Sequence, residues 1–141
     1  MEGVQLTPLK QIYHPKGDVF HGMKKSDPGF TSFGEAYFST VHLGDVKPWK
    51  KHLRMTLNLV VPVGKIRFVM HDDRPESLTQ GQTLSVEIGP DNYQRLTIAP
   101  GIWMAFEGLN DGLNLLLNMT DLEHDPNEVE RAELDRFEYP H

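Results

Sequence analysis

The sequence predicts a single all-β domain, a sandwich or barrel with one short carboxy-terminal helix. The chain has 141 residues, is punctuated by 12 glycines and 10 prolines, and carries only short apolar runs. A chain of this length corresponds to about one domain of ordinary size. Short apolar runs spaced roughly 8–12 residues apart and bounded by turn residues are typical of all-β folds.

Seven apolar runs are candidate strands, rich in Val, Ile, Leu, Phe and Tyr. They cover residues 36–43, 53–61, 65–70, 83–88, 93–98, 102–106 and 113–119. Turn sequences such as Pro100-Gly101 separate them. We therefore assign 34–121 to the barrel core and 1–33, rich in proline and glycine, to an irregular segment with short edge strands. No repeat or linker divides 1–141 into a second domain.

Residues 125–137 predict one short helix that lies on the barrel. Asp125 precedes Pro126, which places a capping side chain before a proline at the first helical position. Glu128 adds an acid to the first turn, where it interacts favourably with the helix dipole. Apolar residues then recur at near-helical spacing. We expect this helix to cover a sheet and not to bind a ligand.

Composition excludes several classes of protein. The net charge of -6 disfavours a general nucleic-acid-binding protein, because such a protein needs a basic face. No apolar run approaches the roughly 20 residues of a membrane helix, and the amino-terminal residues lack the apolar core of a signal peptide. The absence of cysteine excludes disulfides and thiolate metal sites. We expect a cytoplasmic protein without nucleic-acid or membrane partners.

The segment 50–59 alternates between polar and apolar residues. Its even positions are polar: Lys50, His52, Arg54, Thr56 and Asn58. Apart from Lys51, its odd positions are apolar: Leu53, Met55, Leu57 and Leu59. Because successive side chains of a strand point to opposite faces, one continuous strand would place the polar set on one face. That face is either exposed to solvent or lines a pocket for a sugar phosphate.

This segment resembles the first motif of the cupin family, G-x5-H-x-H-x(3,4)-E-x6-G. The matching positions are Gly44, Lys50, His52, Leu57 (Thr56 with the shorter spacing) and Gly64. Pro100-Gly101-x2-Met104-x3-Gly108 resembles the second motif, P-x-G-x2-H-x3-N. In metal-binding cupins these motifs supply three His and one Glu or Gln, of which only His52 remains. Lys50 and Met104 cannot replace imidazole ligands. The resemblance therefore implies a jelly-roll β-barrel with no metal and no other cofactor.

Among metal-free cupins, the chain is most similar to enzymes acting on dTDP-4-keto-6-deoxy sugars: the dTDP-4-dehydrorhamnose 3,5-epimerases and the 3,4-ketoisomerases. Residues 63–74 and 98–106 resemble the epimerase stretches RGEVFDVAVDLR and IPPGFAHGF. The resemblance places the catalytic histidine of both groups at His52. It places the two epimerase tyrosines near Leu117 and Glu123, neither of which is a phenol.

His52 and Tyr37 are the candidate catalytic residues. Removing a proton alpha to a ketone needs a base with a pKa near neutrality, which histidine supplies. A cation or hydrogen-bond donor must also stabilise the enolate oxygen. Tyr37, on the preceding strand, is the candidate acid; the alternative is a tyrosine of the barrel wall without a catalytic role.

Five further residues are candidates for binding the substrate. Lys50, Arg54 and Asn58 share the polar face with His52, and Arg54 is suited to a phosphate because a guanidinium can bind it bidentately. Asn118 is expected to face the barrel lumen from a later strand. Trp49 either stacks on the nucleotide base or is an ordinary core aromatic. His71-Asp72-Asp73 resembles a metal-binding cluster but is better explained as a turn before Arg74-Pro75.

We expect a metal-independent epimerase or isomerase of a nucleotide-activated 4-keto-6-deoxyhexose in cell-surface polysaccharide biosynthesis. One alternative is a non-catalytic cupin that binds a sugar nucleotide or another small molecule, which the missing tyrosines would explain. A second is a metal-dependent cupin with a rearranged site. A homodimer is expected from the resemblance and from the apolar odd positions 53–59, which need cover.

Overall fold

The computed structural model describes residues 1–141, which form two five-stranded sheets that face each other and one small hairpin. The strands are β1 (Val4–Pro8), β2 (Gln11–Ile12), β3 (Val19–Phe20), β4 (Glu35–Thr40), β5 (Val46–His52), β6 (Leu57–Val63), β7 (Ile66–His71), β8 (Thr83–Ile88), β9 (Gln94–Ile98), β10 (Trp103–Gly108), β11 (Leu115–Thr120) and β12 (Val129–Arg131). Sheet 1 has the order β1-β9-β6-β11-β4 and sheet 2 the order β12-β5-β10-β7-β8. The predicted all-β cupin barrel is confirmed.

The hydrophobic core lies between the two sheets. It is a cluster of 14 buried apolar residues that includes Leu59, Phe68 and Leu96. The predicted apolar runs supply most of it, because in each strand alternate side chains reach the core. Met55 and Leu57 belong to this cluster. The chain's own sheets therefore cover most of the apolar odd positions, which no longer support a dimer.

Arg95 ties the amino-terminal residues to the outer face of sheet 1. Its side chain is fully buried and donates hydrogen bonds to the carbonyl oxygens of Gly22 and Pro28 and to the carboxylate of Asp27. Residues 1–33 also supply β1, which pairs with β9 at the edge of sheet 1. The predicted edge strand is present, and Arg95 anchors residues 22–28, whereas residues 11–20 are exposed.

The single helix predicted over 125–137 is wrong. Asp125 accepts a hydrogen bond from the backbone N–H of Asn127 as a cap, but only the 3-10 turn Pro126–Glu128 follows. The chain then forms β12, which pairs with β5, and a second 3-10 turn, Leu134–Arg136. Strand pairing and aromatic packing outside sheet 2 stabilise this extended path. With turns this short, the structure contains no helix able to cross a membrane.

We call residues 132–139 the C-terminal strap. Phe137 and Tyr139 of the strap pack edge-on against the indole of Trp49, with ring centroids 5.5 and 6.3 Å apart. Trp103 completes this second apolar cluster. The strap thus covers sheet 2, which is the role that the sequence assigned to a helix.

Candidate active site

A cavity of about 840 Å³ opens between the two sheets. Strands β4 and β11 of sheet 1 face β5, β10 and β12 of sheet 2 across it. Its apolar floor includes Met55, Leu57, Ile102 and Met104. Its polar lining includes Glu35, Tyr37, Lys50, His52, Asn118 and Arg131. Four of the seven predicted site residues therefore contribute polar groups to one cavity: Tyr37, Lys50, His52 and Asn118.

His52 is held by a buried carboxylate. Its ring nitrogen Nδ1 lies 2.7 Å from Oε1 of Glu128, whose side chain is 1% exposed against 19% for His52. The pairing of β12 with β5 sets Val129 opposite His52, which brings the preceding Glu128 beside the imidazole. The backbone N–H of Leu53 also donates to the carbonyl of Glu128 at 2.8 Å.

Hydrogen bonds keep Glu128 ionised. Burial alone would raise the pKa of Glu128, but hydrogen bonds from His52 and from the backbone N–H groups of Arg54 and Met55 outweigh it and lower that pKa. A carboxylate only accepts hydrogen bonds, so the Nδ1 of His52 carries the proton. In the neutral imidazole the lone pair is then on Nε2, which is the basic atom of the ring.

The same contacts explain why Arg54 is not in the cavity. Its N–H and that of Met55 both turn toward the carboxylate of Glu128, at 3.0 and 2.9 Å, so the chain leaves β5 after His52. The side chain of Arg54 is 67% exposed and lies 3.5 Å from Asp125. The predicted position of Arg54 beside His52 is wrong, because the strand is interrupted there.

Asn58 is also placed differently from the prediction. The chain resumes as β6 at Leu57, which lines the cavity, so the inward positions have changed from even to odd. Asn58 points outward and accepts hydrogen bonds from Arg95 at 3.0 Å and Thr97 at 2.6 Å. Its role is to fix the outer face of sheet 1, where it also donates to the carbonyl of Gly29.

Trp49 belongs to the wall of the cavity, but its indole has no exposed face on which a ligand could stack. Its side chain is fully buried, and its indole N–H donates to the carbonyl of Leu134 at 3.0 Å beneath the C-terminal strap. Of the two interpretations that the sequence allowed, the core aromatic is the correct one.

Tyr37 and Asn118 form a hydrogen-bonded pair on sheet 1. They lie directly opposite each other on β4 and β11, and Asn118 Nδ2 donates to the Tyr37 hydroxyl at 2.9 Å. Because Tyr37 accepts this bond, its own O–H proton remains free to be donated. Burial raises the pKa of Tyr37, and the negative charge of Glu35 raises it further. Leu117, where the resemblance placed an epimerase tyrosine, pairs with the outward-facing Phe38.

Three cationic side chains line the sheet 2 side of the cavity: Lys47, Lys50 and Arg131. Burial lowers the pKa of Lys50, and repulsion from Arg131 and Lys47 lowers it further. None of the three forms an ion pair within 4.0 Å. In a chain of net charge -6, unpaired cations that converge in a cavity are suited to an anionic ligand.

Glu128, Lys47 and Arg131 are functional residues that the sequence did not indicate. Glu128 and Arg131 lie in the segment assigned to a helix, where an acid in the first turn has an ordinary explanation. Lys47 precedes the alternating segment and carries no spacing signal. The register of β12 against β5, a long-range pairing, brings Glu128 beside His52 and Arg131 to the cavity, whereas Lys47 lies on β5 itself.

The residues at the cupin ligand positions are not a metal-binding set. Lys50, His52, Leu57 and Met104 all line the cavity, but an ammonium, a thioether and an aliphatic side chain are unsuitable ligands for Fe, Mn or Zn. No group of three or more His, Cys, Asp or Glu side chains lies close enough to hold a metal ion. His71 ends β7 and Asp72-Asp73 enter the following loop, as expected, but Asp72 is fully buried and not exposed to solvent: Arg74 binds it, and Asp73 accepts from Trp103.

No protein-family model matches the chain. A dTDP sugar isomerase from Desulfovibrio desulfuricans G20 has a solved structure with a TM-score of 0.92 and 43% identity, covering 96% of this chain and 87% of that one. The probable low-salt glycan biosynthesis epimerase Agl13 of Haloferax volcanii is 34% identical over 84 residues, which are 59% of this chain and 54% of that protein. The match thus spans about half of Agl13.

The spore coat polysaccharide biosynthesis protein SpsL of Bacillus subtilis is 22% identical over 134 residues, which are 95% of this chain and 89% of that protein. All these relatives carry names that concern sugar isomerisation, epimerisation or polysaccharide synthesis.

Proposed function

The chain belongs to the family of dTDP-sugar isomerases and epimerases, and from this premise we propose that it isomerises or epimerises a dTDP-linked 4-keto-6-deoxyhexose without a metal. The observation that carries this proposal is the His52–Glu128 pair, which faces Tyr37 across the cavity from the opposite sheet. Such a pair supplies a positioned base, and the phenol supplies an acid.

The first step is the removal of a proton from the carbon next to the ketone. Nε2 of His52 takes this proton, and the electron pair of the broken C–H bond moves to the carbonyl oxygen to give an enolate. Glu128 stabilises the imidazolium that forms and fixes the orientation of the ring. Lys50, two residues from His52 on β5, stabilises the enolate oxygen.

In the second step a proton returns to carbon. If it comes from the Tyr37 hydroxyl, on the side of the cavity opposite His52, the configuration at that carbon is inverted. If His52 instead returns it to the former carbonyl carbon, and the hydroxyl on the deprotonated carbon passes its proton to the enolate oxygen, the ketone migrates to the deprotonated carbon. The first outcome is an epimerisation and the second an isomerisation, and both start from the same enolate.

Lys47 and Arg131 are proposed to bind the diphosphate of the nucleotide. Their convergence with Lys50, without acidic partners, supports this role. Charge-assisted hydrogen bonds to phosphate oxygens are stronger than neutral ones. The nucleotide would thereby fix the sugar with its reacting carbon near His52.

Solvent deuterium incorporation tests the proposal. The protein is incubated in deuterium oxide with dTDP-4-keto-6-deoxyglucose, and NMR follows the protons next to the ketone. Exchange that requires His52 is the expected result, and the product spectrum distinguishes inversion from ketone migration. Tight binding of the sugar nucleotide without any exchange would refute the enzyme and favour the non-catalytic binding protein.

A homodimer, a cytoplasmic location and a role in cell-surface polysaccharide synthesis complete the proposal. The names of Agl13 and SpsL support the biosynthetic role. Exposed Phe38 on the edge strand β4 and exposed Phe33 beside it support a second copy as a partner of sheet 1. Sedimentation equilibrium at several concentrations tests the dimer; a monomer at every concentration would refute it.

A further inference from the structure

Asn118 contains a buried amide oxygen that has no hydrogen-bond partner. The residue is 8% exposed and lines the cavity. Its Nδ2 already donates to Tyr37, so only the oxygen is left unpaired. Buried polar groups in folded proteins are nearly always paired, and each exception requires an explanation.

The chemistry of this oxygen restricts what it can bind. A carbonyl oxygen only accepts hydrogen bonds, so its partner must present an O–H or N–H group. The amide is neutral, and the cations lie on the other sheet, so the partner is not the diphosphate. If His52 is the base of the proposed reaction, the sugar ring is the part of the nucleotide sugar bound between His52 and Asn118, which both line the cavity.

We propose that Asn118 Oδ1 accepts a hydrogen bond from a ring hydroxyl of the sugar and thereby selects the substrate. This inference rests on the proposed function. A site that pairs a buried polar group with a substrate hydroxyl rejects an analogue lacking that hydroxyl, because the buried group then stays unpaired. Asn118 is in this view a specificity-determining residue, distinct from the base and the acid.

The test measures whether Asn118 and a sugar hydroxyl depend on each other. Calorimetry gives the affinities of dTDP, dTDP-6-deoxyglucose and its 2-deoxy and 3-deoxy analogues, none of which reacts. We expect the wild-type protein to bind one of the deoxy analogues at least about tenfold more weakly than the parent sugar. Asn118→Leu should bind that analogue and the parent equally, while its affinity for dTDP stays unchanged.

Two further variants keep the test decisive. Asn118→Asp retains an acceptor at this position and should retain the discrimination, which covers the case in which Asn118→Leu does not fold. Ser39→Ala changes another neutral residue of the same cavity wall and should also retain it. Loss of discrimination in Ser39→Ala would contradict a specific role for Asn118.

The failure of this inference can be distinguished from the failure of the proposed function. If the wild-type protein binds all the sugar ligands equally, or if Asn118→Leu weakens dTDP itself, Asn118 does not recognise a sugar hydroxyl and the inference is refuted. If the wild-type protein binds no dTDP ligand at all, the proposed function is refuted as well.

Discussion

Glu128 accepts a hydrogen bond from His52 at 2.7 Å, although 76 residues separate the two along the chain. Glu128 accounts for the orientation of His52, for the end of β5 and for the role of β12 in the site. The Glu128 carboxylate fixes the tautomer of the imidazole. Its hydrogen bonds from the N–H groups of Arg54 and Met55 draw the chain out of β5 after His52, and its position depends on the pairing of β12.

Replacing His52 by alanine should slow deuterium exchange by about 10²–10⁴-fold and leave the affinity for dTDP within a few-fold. A general base contributes this much to the rate but little to ground-state binding. NMR exchange rates and calorimetry on the same preparation check both parts. Full exchange activity in His52→Ala would show that another residue is the base.

Glu128→Gln should lower the exchange rate by about 10²–10⁴-fold, because an amide no longer enforces the reactive tautomer. It should also lower the free energy of unfolding by about 1–3 kcal/mol, since two backbone N–H groups lose a charged acceptor. Urea unfolding and exchange kinetics measure the two effects.

Glu130→Gln is the matched control for this variant. Glu130 lies on the same short strand, and its half-exposed carboxylate forms an ion pair with Lys51 at 3.3 Å. A pair with one partner in solvent contributes roughly 0–1 kcal/mol, so we expect little change in either measurement. Equal effects of the two variants would argue against a special role for Glu128.

Arg131→Gln should weaken dTDP binding about tenfold or more, because a charge-assisted hydrogen bond to phosphate is lost. The affinity of the wild-type protein should fall as salt is added, and this dependence should be weaker in the variant. Arg54→Gln is the control: it removes the same charge from a side chain that lies outside the cavity. A larger effect in Arg54→Gln would reverse our assignment of the phosphate site.

The sequence predicted the strands well because their signals are local. The turn Pro100-Gly101 precedes β10, and alternating apolar residues reach the core in β6 and β7. The register break between His52 and Leu57 has no local signal, since no glycine or proline occurs there. Its cause is a carboxylate from a distant strand, so the positions of Arg54 and Asn58 could not be deduced from alternation alone.

The stability of the protein should depend on Asp72 in a pH-dependent manner. Hydrogen bonds from Arg74 hold the pKa of Asp72 well below its usual value; burial opposes them, and Ser77 and Thr79 reinforce them. A lowered folded-state pKa contributes stability that is complete above the unfolded value of about 3.9 and is lost as the pH falls toward the folded value.

Asp72→Asn should therefore lower the free energy of unfolding by about 3 kcal/mol at neutral pH, since it leaves the buried Arg74 contact without its carboxylate. The difference between variant and wild type should shrink as the pH falls below about 4. Urea unfolding across this range checks the prediction, and a difference that stays constant with pH would contradict it.

Purified protein should contain no stoichiometric transition metal, and a chelator should leave its exchange rate unchanged. Lys50 and Met104 occupy two of the positions at which metal-binding cupins carry histidine. Elemental analysis after dialysis measures the metal content of the protein. A value of about one Fe, Mn, Zn or Ni per chain would favour the rearranged metal site.

The separation of His52 and Glu128 along the chain has a consequence for biosynthesis. Translation at about 5–20 residues per second takes roughly 4–15 s to advance from His52 to Glu128, which lies 76 positions later. During that interval the nascent barrel already contains its histidine but not the carboxylate that orients it. Catalytic competence therefore arises late in synthesis, after most of the hydrophobic core has been translated.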